Sequence, residues 1–351
     1  MQKFLVQIEK NMMWWLLGVS VAGIIFSKFG GGIAFSSLIC LLAALVMIYP
    51  SLLPLDFSEL KKVHRNYKII SLSVFVNFII SPLLAYILAS IFLNDYPALK
   101  LGLILLSILP GGGMATSWAL KTRAQMGVVI GIILVNLLVA SLVAPFVISS
   151  SMNSVKNQLA AQQVDGQCAV ETVTAGAADC FFGGANGVSP LQIALPIVVI
   201  IVFPLLLAYY TRETIARKKG REYLLAQRGL FKNLSNIGML IVIFVLMSLK
   251  ANAVVFDNWS LLLRAIVPLL LYYISILGIA YWSFGKFAIT EIGKAFAWGI
   301  YLRYITLALG LATSLIFQDE SLSVMVIMIM LSYFVQIPFS FFLAKKMNEK
   351  N

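Results

Sequence analysis

Apolar runs of about twenty residues recur from one end of this chain to the other, and they confine it to a bundle of membrane-crossing helices. A hydrocarbon core roughly 30 Å thick supplies no water to the backbone, so each segment must satisfy its own N–H and C=O groups, as a helix does. The runs fall near 13–26, 33–54, 69–93, 99–120, 126–149, 190–210, 233–250, 260–284, 295–317 and 321–344, about ten spans in all. With 61% hydrophobic and only 11% charged residues, little polar sequence is left for a soluble domain. Residues 13–26 follow Lys3 and Lys10 as a signal peptide would. Without a small-x-small cleavage pattern after them they read as the first span.

A formal charge of +12 raises the question of nucleic acid, and the placement of the charges answers it. Lys61, Lys62, Arg65 and Lys68 fall on one side of the predicted bundle with Lys121 and Arg123. The cluster Arg212, Arg217, Lys218, Lys219, Arg221, Arg228 and Lys232 joins them there, as do Lys345 and Lys346, while the opposite loops are nearly bare. The positive-inside bias makes the dense side cytoplasmic, with both termini inside and an even number of spans. The expected location is the bacterial inner membrane, and the cluster after Arg212 reads as a topology signal beside lipid headgroups. The polar loop 151–189 then lies outside, where Cys168 and Cys180 are expected to form a disulfide, two free thiols being the alternative. Cys40 sits mid-span as a small apolar residue.

That loop divides the chain into residues 1–150 and 190–351, each with about five spans. Two tandem units with an odd number of spans must face opposite ways across the membrane, the topology of an inverted-repeat transporter. A single bundle without repeats is the alternative.

Within the fourth span, "SILPGGGMATSWALKTR" places Pro110, Gly111, Gly112 and Gly113 together. Proline removes a backbone donor and glycine has no side chain to hold a helix, so the hydrogen-bond ladder is expected to open there. Opened backbone is tolerated only against protein or a watery cavity, which is why broken helices mark substrate sites; a packing kink is the alternative. Met114, Thr116 and Ser117 would begin a second half-helix whose N-terminal N–H groups suit an anion. The one ionisable residue deep in a span is Arg303, in "GIYLRYITLALGLATSL". A guanidinium at depth needs water, carbonyls or an anion, unless it snorkels to the inner surface. Asp and Glu fall in loops or at helix ends, Asp56 and Glu291 among them, so no buried carboxylate is on offer. A coupling ion, sodium or proton, would meet neutral oxygens such as those of Asn77, Asn136, Thr116, Ser117, Thr306 and Gln336, each of which also serves helix–helix hydrogen bonding.

Four segments, in order, resemble the arsenical-resistance family of arsenite efflux permeases: "LVMIYPSLLPLDFSELKKVHRNYKIISLSVFVNFIISPLLAYIL", "LILLSILPGGGMATSWALK", "VFPLLLAYYTRETI" and "LRYITLALGLATSLI". The resemblance spans nearly the whole chain and rests on "MIYP", "DFS", Asn77 with Pro82, and Pro110 with Met114 and Trp118. The family shares a superfamily with the bile acid:sodium symporters. It implies ten helices in two inverted five-helix repeats, with the fourth and ninth helices broken and crossing at the substrate site. Two positions depart from it: Gly111 stands where the permeases place a cysteine, and Thr306 where they carry an acidic residue. Thiolate suits soft As(III), whereas glycine offers only backbone.

The expected function is therefore a secondary transporter of a small anion or oxyanion, held between the glycine break and Arg303 with Thr306 beside it. An arsenite or antimonite efflux permease is the alternative, and a membrane sensor or scaffold without transport is another. No cofactor motif is present; the expected partners are the small-molecule or oxyanion substrate and membrane lipids, with nucleic acid excluded. No enzyme is expected, because the single histidine, His64, falls in an inner loop and leaves no evident general base at depth. No phosphate-binding P-loop is present to drive a pump. A maleimide too polar to cross the bilayer should label reduced Cys168 from outside intact cells; labelling only after permeabilisation would invert the topology.

Overall fold

The computed structural model describes residues 12–30, 48–50, 52–53, 66–164, 190–220, 223–224, 227–248, 259–286, 291–316 and 324–349, and the regular structure in them is helical. Cys40, His64, Cys168 and Cys180, with most of the predicted span 33–54, lie outside the described residues. The helices are α1 (Met12–Phe29), α2 (Tyr67–Phe75), α3 (Ser81–Phe92), α4 (Pro97–Ile108), α5 (Gly113–Lys121) and α6 (Met126–Val164). They continue with α7 (Pro190–Lys219), α8 (Arg228–Met247), α9 (Trp259–Lys286), α10 (Glu291–Tyr301), α11 (Ile305–Ile316) and α12 (Met325–Glu349). Among the described residues five segments are long and apolar enough to cross a membrane: Tyr67–Phe92, Met126–Asn153, Leu262–Ser283, Glu291–Ala312 and Met325–Glu349. Leu83, Leu142, Phe146, Leu263 and Phe341 are exposed on these segments, as side chains facing lipid are. The protein is an integral membrane protein.

Burial is graded from the rim to the centre. A helix apolar on every face belongs inside other helices, and α4 is such a helix, with every residue from Leu99 to Ile108 buried. The apolar window of Glu291–Ala312 lies wholly inside the protein as well. Around this pair pack α2, α3, α6, α9 and α12, while α1 lies against α8.

Three local events shape the centre. Pro110 forces its predecessor out of the helical region, so Leu109 is extended at φ −86°, ψ 122° and α4 stops. Helix resumes only after Gly112, leaving 109–112 unwound. A second interruption, 302–304, separates α10 from α11 although "LRY" holds neither glycine nor proline. Between α2 and α3 lies a π-helical turn, Val76–Ile80, in which the Ser81 N–H reaches back five residues to Val76 O. Pro82, lacking the N–H that would bond Phe78 O, accounts for the widened turn, and Asn77 within it is fully buried.

Two expectations are corrected. The loop expected over 151–189 begins as helix, since α6 runs on to Val164. Polar though 150–164 is, its Ser, Asn, Gln, Leu and Ala include no glycine or proline to stop a helix. Likewise the cluster from Arg212 starts on a helix, not in a loop. Arg217, Lys218 and Lys219 occupy the last turn of α7, where cations complement the C-terminal dipole, and Gly220 at φ +83° ends it.

Close approach of α4 to α12 rests on Gly102, where a Cβ would stand 2.8 Å from the Met325 carbonyl and 3.0 Å from Met328 Cβ. Because one of those atoms is backbone, Gly102→Ala should cost about 1–3 kcal/mol of stability. A lower melting temperature in detergent would register it, and an unchanged one would show that the two helices separate freely.

Candidate functional site

The two unwound stretches meet face to face. A Cβ on Gly111 would lie 3.2 Å from Leu302 O, and one on Gly112 would fall 2.4 Å from Cδ2 of Tyr304. Glycine at 112 therefore makes room for the Tyr304 ring, and the first break is covered by the second. Beyond it, Ala115 N–H bonds Gly112 O at 2.9 Å, while α5 starts without a side-chain cap.

Arg303 sits inside this crossing with 1% of its surface exposed, so it does not snorkel. Its Nη1 donates to Asn77 Oδ1 at 3.0 Å, to Ser107 O at 3.3 Å and to Leu109 O at 3.5 Å. The last two are carbonyls that the break deprived of helical partners, and they carry the negative end of α4's dipole. The guanidinium lies 5.7 Å from the centroid of the Tyr272 ring. Its Nε and Nη2 are buried and have no hydrogen-bond partner. No Asp or Glu among the described residues is buried, so none of these carboxylates neutralises the charge.

Gln336 of α12 holds the second break from the other side. Its Oε1 accepts from Arg303 N at 2.9 Å and from the Tyr273 hydroxyl at 3.0 Å, and its backbone carbonyl accepts from the Tyr301 hydroxyl at 3.0 Å. Asn77 spans the crossing, taking the guanidinium on Oδ1 while Nδ2 donates to Gly299 O at 3.3 Å. Thus Asn77, Gly111, Gly112, Arg303 and Gln336 come together, and Pro110 shapes their backbone.

The other predicted residues separate. Thr306, one turn beyond Arg303, is buried with its hydroxyl unpartnered. Met114, Thr116 and Ser117 are half-buried on α5, and Gly113 opens that helix. Asn136 is drawn elsewhere, its Nδ2 donating to Ser73 Oγ at 3.1 Å, so it ties α6 to α2. Gly112 and Arg303 are both buried in contact with protein, so the crossing is closed in this conformation. A cavity of about 680 Å³ lies away from it, against Tyr86, Lys100, Phe146 and Ser150.

Sequence reasoning missed Ser81, Ser107, Tyr272 and Tyr273. Ser81 Oγ donates to Ser107 O at 2.9 Å and lies 2.7 Å from the Tyr272 hydroxyl, so one serine links α3, α4 and α9. The adjacent tyrosines in "LLLYYISIL" were the available signal, since hydroxyls at membrane depth require partners. Also missed was a clasp between α5 and α10. There Trp118 stacks on Trp298 at 5.5 Å, Trp298 Nε1 donates to Thr122 Oγ1 at 2.8 Å, and Lys294 donates to the Thr122 carbonyl at 3.2 Å.

Two interrupted helices crossing inside a membrane bundle, with a charge at the crossing, constitute the architecture of secondary transporters. The chain belongs to the sodium bile acid symporter family, whose model matches residues 41–257, more than half of its length. That match takes in the first break and stops short of the second. This is a family of transporters and not of enzymes. Among curated proteins, the arsenical-resistance protein Acr3 of Corynebacterium glutamicum is 26% identical over 265 residues, 74% of this chain and 64% of the relative. Its namesake from Alkaliphilus metalliredigens is 24% identical over 256 residues, 68% of this chain and 62% of that relative. The chain thus covers less than two thirds of either relative's length.

Sodium, the ion in the family's name, is a hard cation that requires several oxygen ligands. At the crossing the convergent oxygens are already bonded to Arg303, and these residues do not fit it.

Packing of the Tyr304 ring on Gly112 predicts a measurable coupling. Gly112→Ala should lower stability by about 1–3 kcal/mol through overpacking, and most of that loss should disappear when Tyr304→Ala is combined with it. Strictly additive melting shifts would show that the two breaks do not bear on each other.

Proposed function

We propose that the chain is a secondary transporter of a small anion or oxyanion, working by alternating access around the crossed breaks. The observation that carries this reading is the Arg303 guanidinium, buried with no buried carboxylate among the described residues and with Nε and Nη2 unpartnered. Unpaired charge in a low-dielectric interior is costly, and a bound anion would relieve that cost. Nη1 is held by Asn77 and the carbonyls of α4, so the free edge of the guanidinium is oriented before any ligand arrives. The N-terminus of α5 and the unpartnered Thr306 hydroxyl add donors close to Arg303 in sequence or space.

Transport follows from motion of the two halves. Asn77, Ser81, Ser107 and Leu109 belong to the first half, while Tyr272, Arg303 and Gln336 belong to the second. In the proposed mechanism two inverted five-helix repeats rock about this seam, exposing Arg303 to one side of the membrane and then to the other. The closed crossing is then the occluded stage between those openings. Both termini are cytoplasmic in this scheme.

A second reading, efflux of arsenite or antimonite, is favoured by the names of the two relatives. Against a thiolate-bound As(III) stands Gly111, which presents no side chain and lies against Leu302 O.

Proteoliposomes offered oxyanions or neutral As(OH)3 should take up the former, and movement of the neutral species alone would favour the second reading. Arg303→Ala should weaken anion affinity, read from anion-dependent thermal stabilisation, by about 30-fold or more, as truncation of a buried hydrogen-bonded charge costs about 2–5 kcal/mol. Arg303→Lys should retain part of it, and equal affinity in all three proteins would remove Arg303 from the site.

A further inference from the structure

Three oxygens converge on one nitrogen at the crossing: Asn77 Oδ1, Ser107 O and Leu109 O, all within 3.5 Å of Arg303 Nη1. They come from a widened helical turn and from the unwound end of α4, two places where the backbone fails to close its own ladder. Amide and carbonyl oxygens exposed by broken helices are what membrane transporters use to hold a small cation. Here the cation is part of the chain. The remaining amide oxygen nearby, Gln336 Oε1, accepts from Arg303 N and the Tyr273 hydroxyl, so it too is engaged.

We infer that the Arg303 guanidinium is the resident cation of the crossing, holding through Nη1 the oxygens that a coupling sodium ion would need, so that sodium is not a co-substrate there. This rests on the crossing as the moving centre of the proposed transporter, but not on the identity of its substrate. A tethered charge cannot dissociate. It stays between the two halves in every conformation, and no ion gradient acts through this point. Prior occupation of these oxygens separates this chain from the ion in its family's name.

Removing the guanidinium should uncover the site. Arg303→Ala frees Asn77 Oδ1 together with the Ser107 and Leu109 carbonyls and vacates the volume of a long side chain. The experiment uses the full-length protein in detergent, with equilibrium binding of ²²Na⁺ and melting in NaCl against choline chloride at equal ionic strength. Wild type and Arg303→Lys should show no saturable ²²Na⁺ binding and the same melting temperature in both salts. Arg303→Ala should bind ²²Na⁺ saturably and melt higher in NaCl, and Asn77→Ala added to it should abolish both effects. Saturable ²²Na⁺ binding to wild type that Asn77→Ala removes would overturn the inference, as would a folded Arg303→Ala protein indifferent to sodium. Should Arg303→Ala not fold in either salt, wild type against Asn77→Ala and Arg303→Lys still decides the matter. Anion binding by wild type, measured in choline salts, reads the proposed function separately; its failure alongside sodium indifference would sink only the anionic substrate.

Discussion

An unwound helix inside a membrane persists only if something else satisfies its backbone, and in this protein that duty falls on the Arg303 side chain. Leu109 O would otherwise face a dry interior, where an unsatisfied group costs several kcal/mol, and Ser107 O would keep only its bond from Ser81 Oγ. The guanidinium answers them from the second break, so each interruption of the chain depends on the other. Local structure, packing and the candidate site are in this sense one arrangement.

Its surroundings hold the arginine in place without neutralising it. A π-helical turn brings Asn77 inward, Gln336 grips the backbone on either side of the side chain, and Ser81 links the end of α4 to Tyr272. Glycine at 111 and 112 then lets Leu302 and Tyr304 lie directly on the first break. Between α5 and α10 the Trp118 and Trp298 pair fastens the same two broken helices again. Contact at two levels makes them one unit inside the ring of longer helices, which face lipid with Leu83, Leu142 and Leu263.

Membership of a symporter family says that such a unit moves something across the bilayer, while the residues at the crossing bear on what that is. Glycine at 111 and threonine at 306 contribute neither thiolate nor carboxylate at those two positions, which is the ground for proposing an anion there in place of a soft metalloid. Fold alone does not choose between substrates.

What the sequence determined by itself was whatever depends on solvent and on local chain chemistry. Apolar runs dictated membrane helices, because lipid penalises every unpaired backbone group. Pro110 and its glycines dictated an interruption, because they withdraw a donor and the side chains that support a helix. Arg303 stood out because charge is rare at that depth. The second break, which family resemblance implied, has no local cause in "LRY"; tertiary contacts from Gln336 and Tyr304 compete with the helix there. Tertiary structure likewise divided the polar residues, sending Asn136 to Ser73 and Asn77 to the arginine, although both are asparagines within apolar spans. Hydrogen bonds between residues more than two hundred positions apart, such as Asn77 with Arg303, leave no periodic trace in a chain; they exist only once the helices are packed.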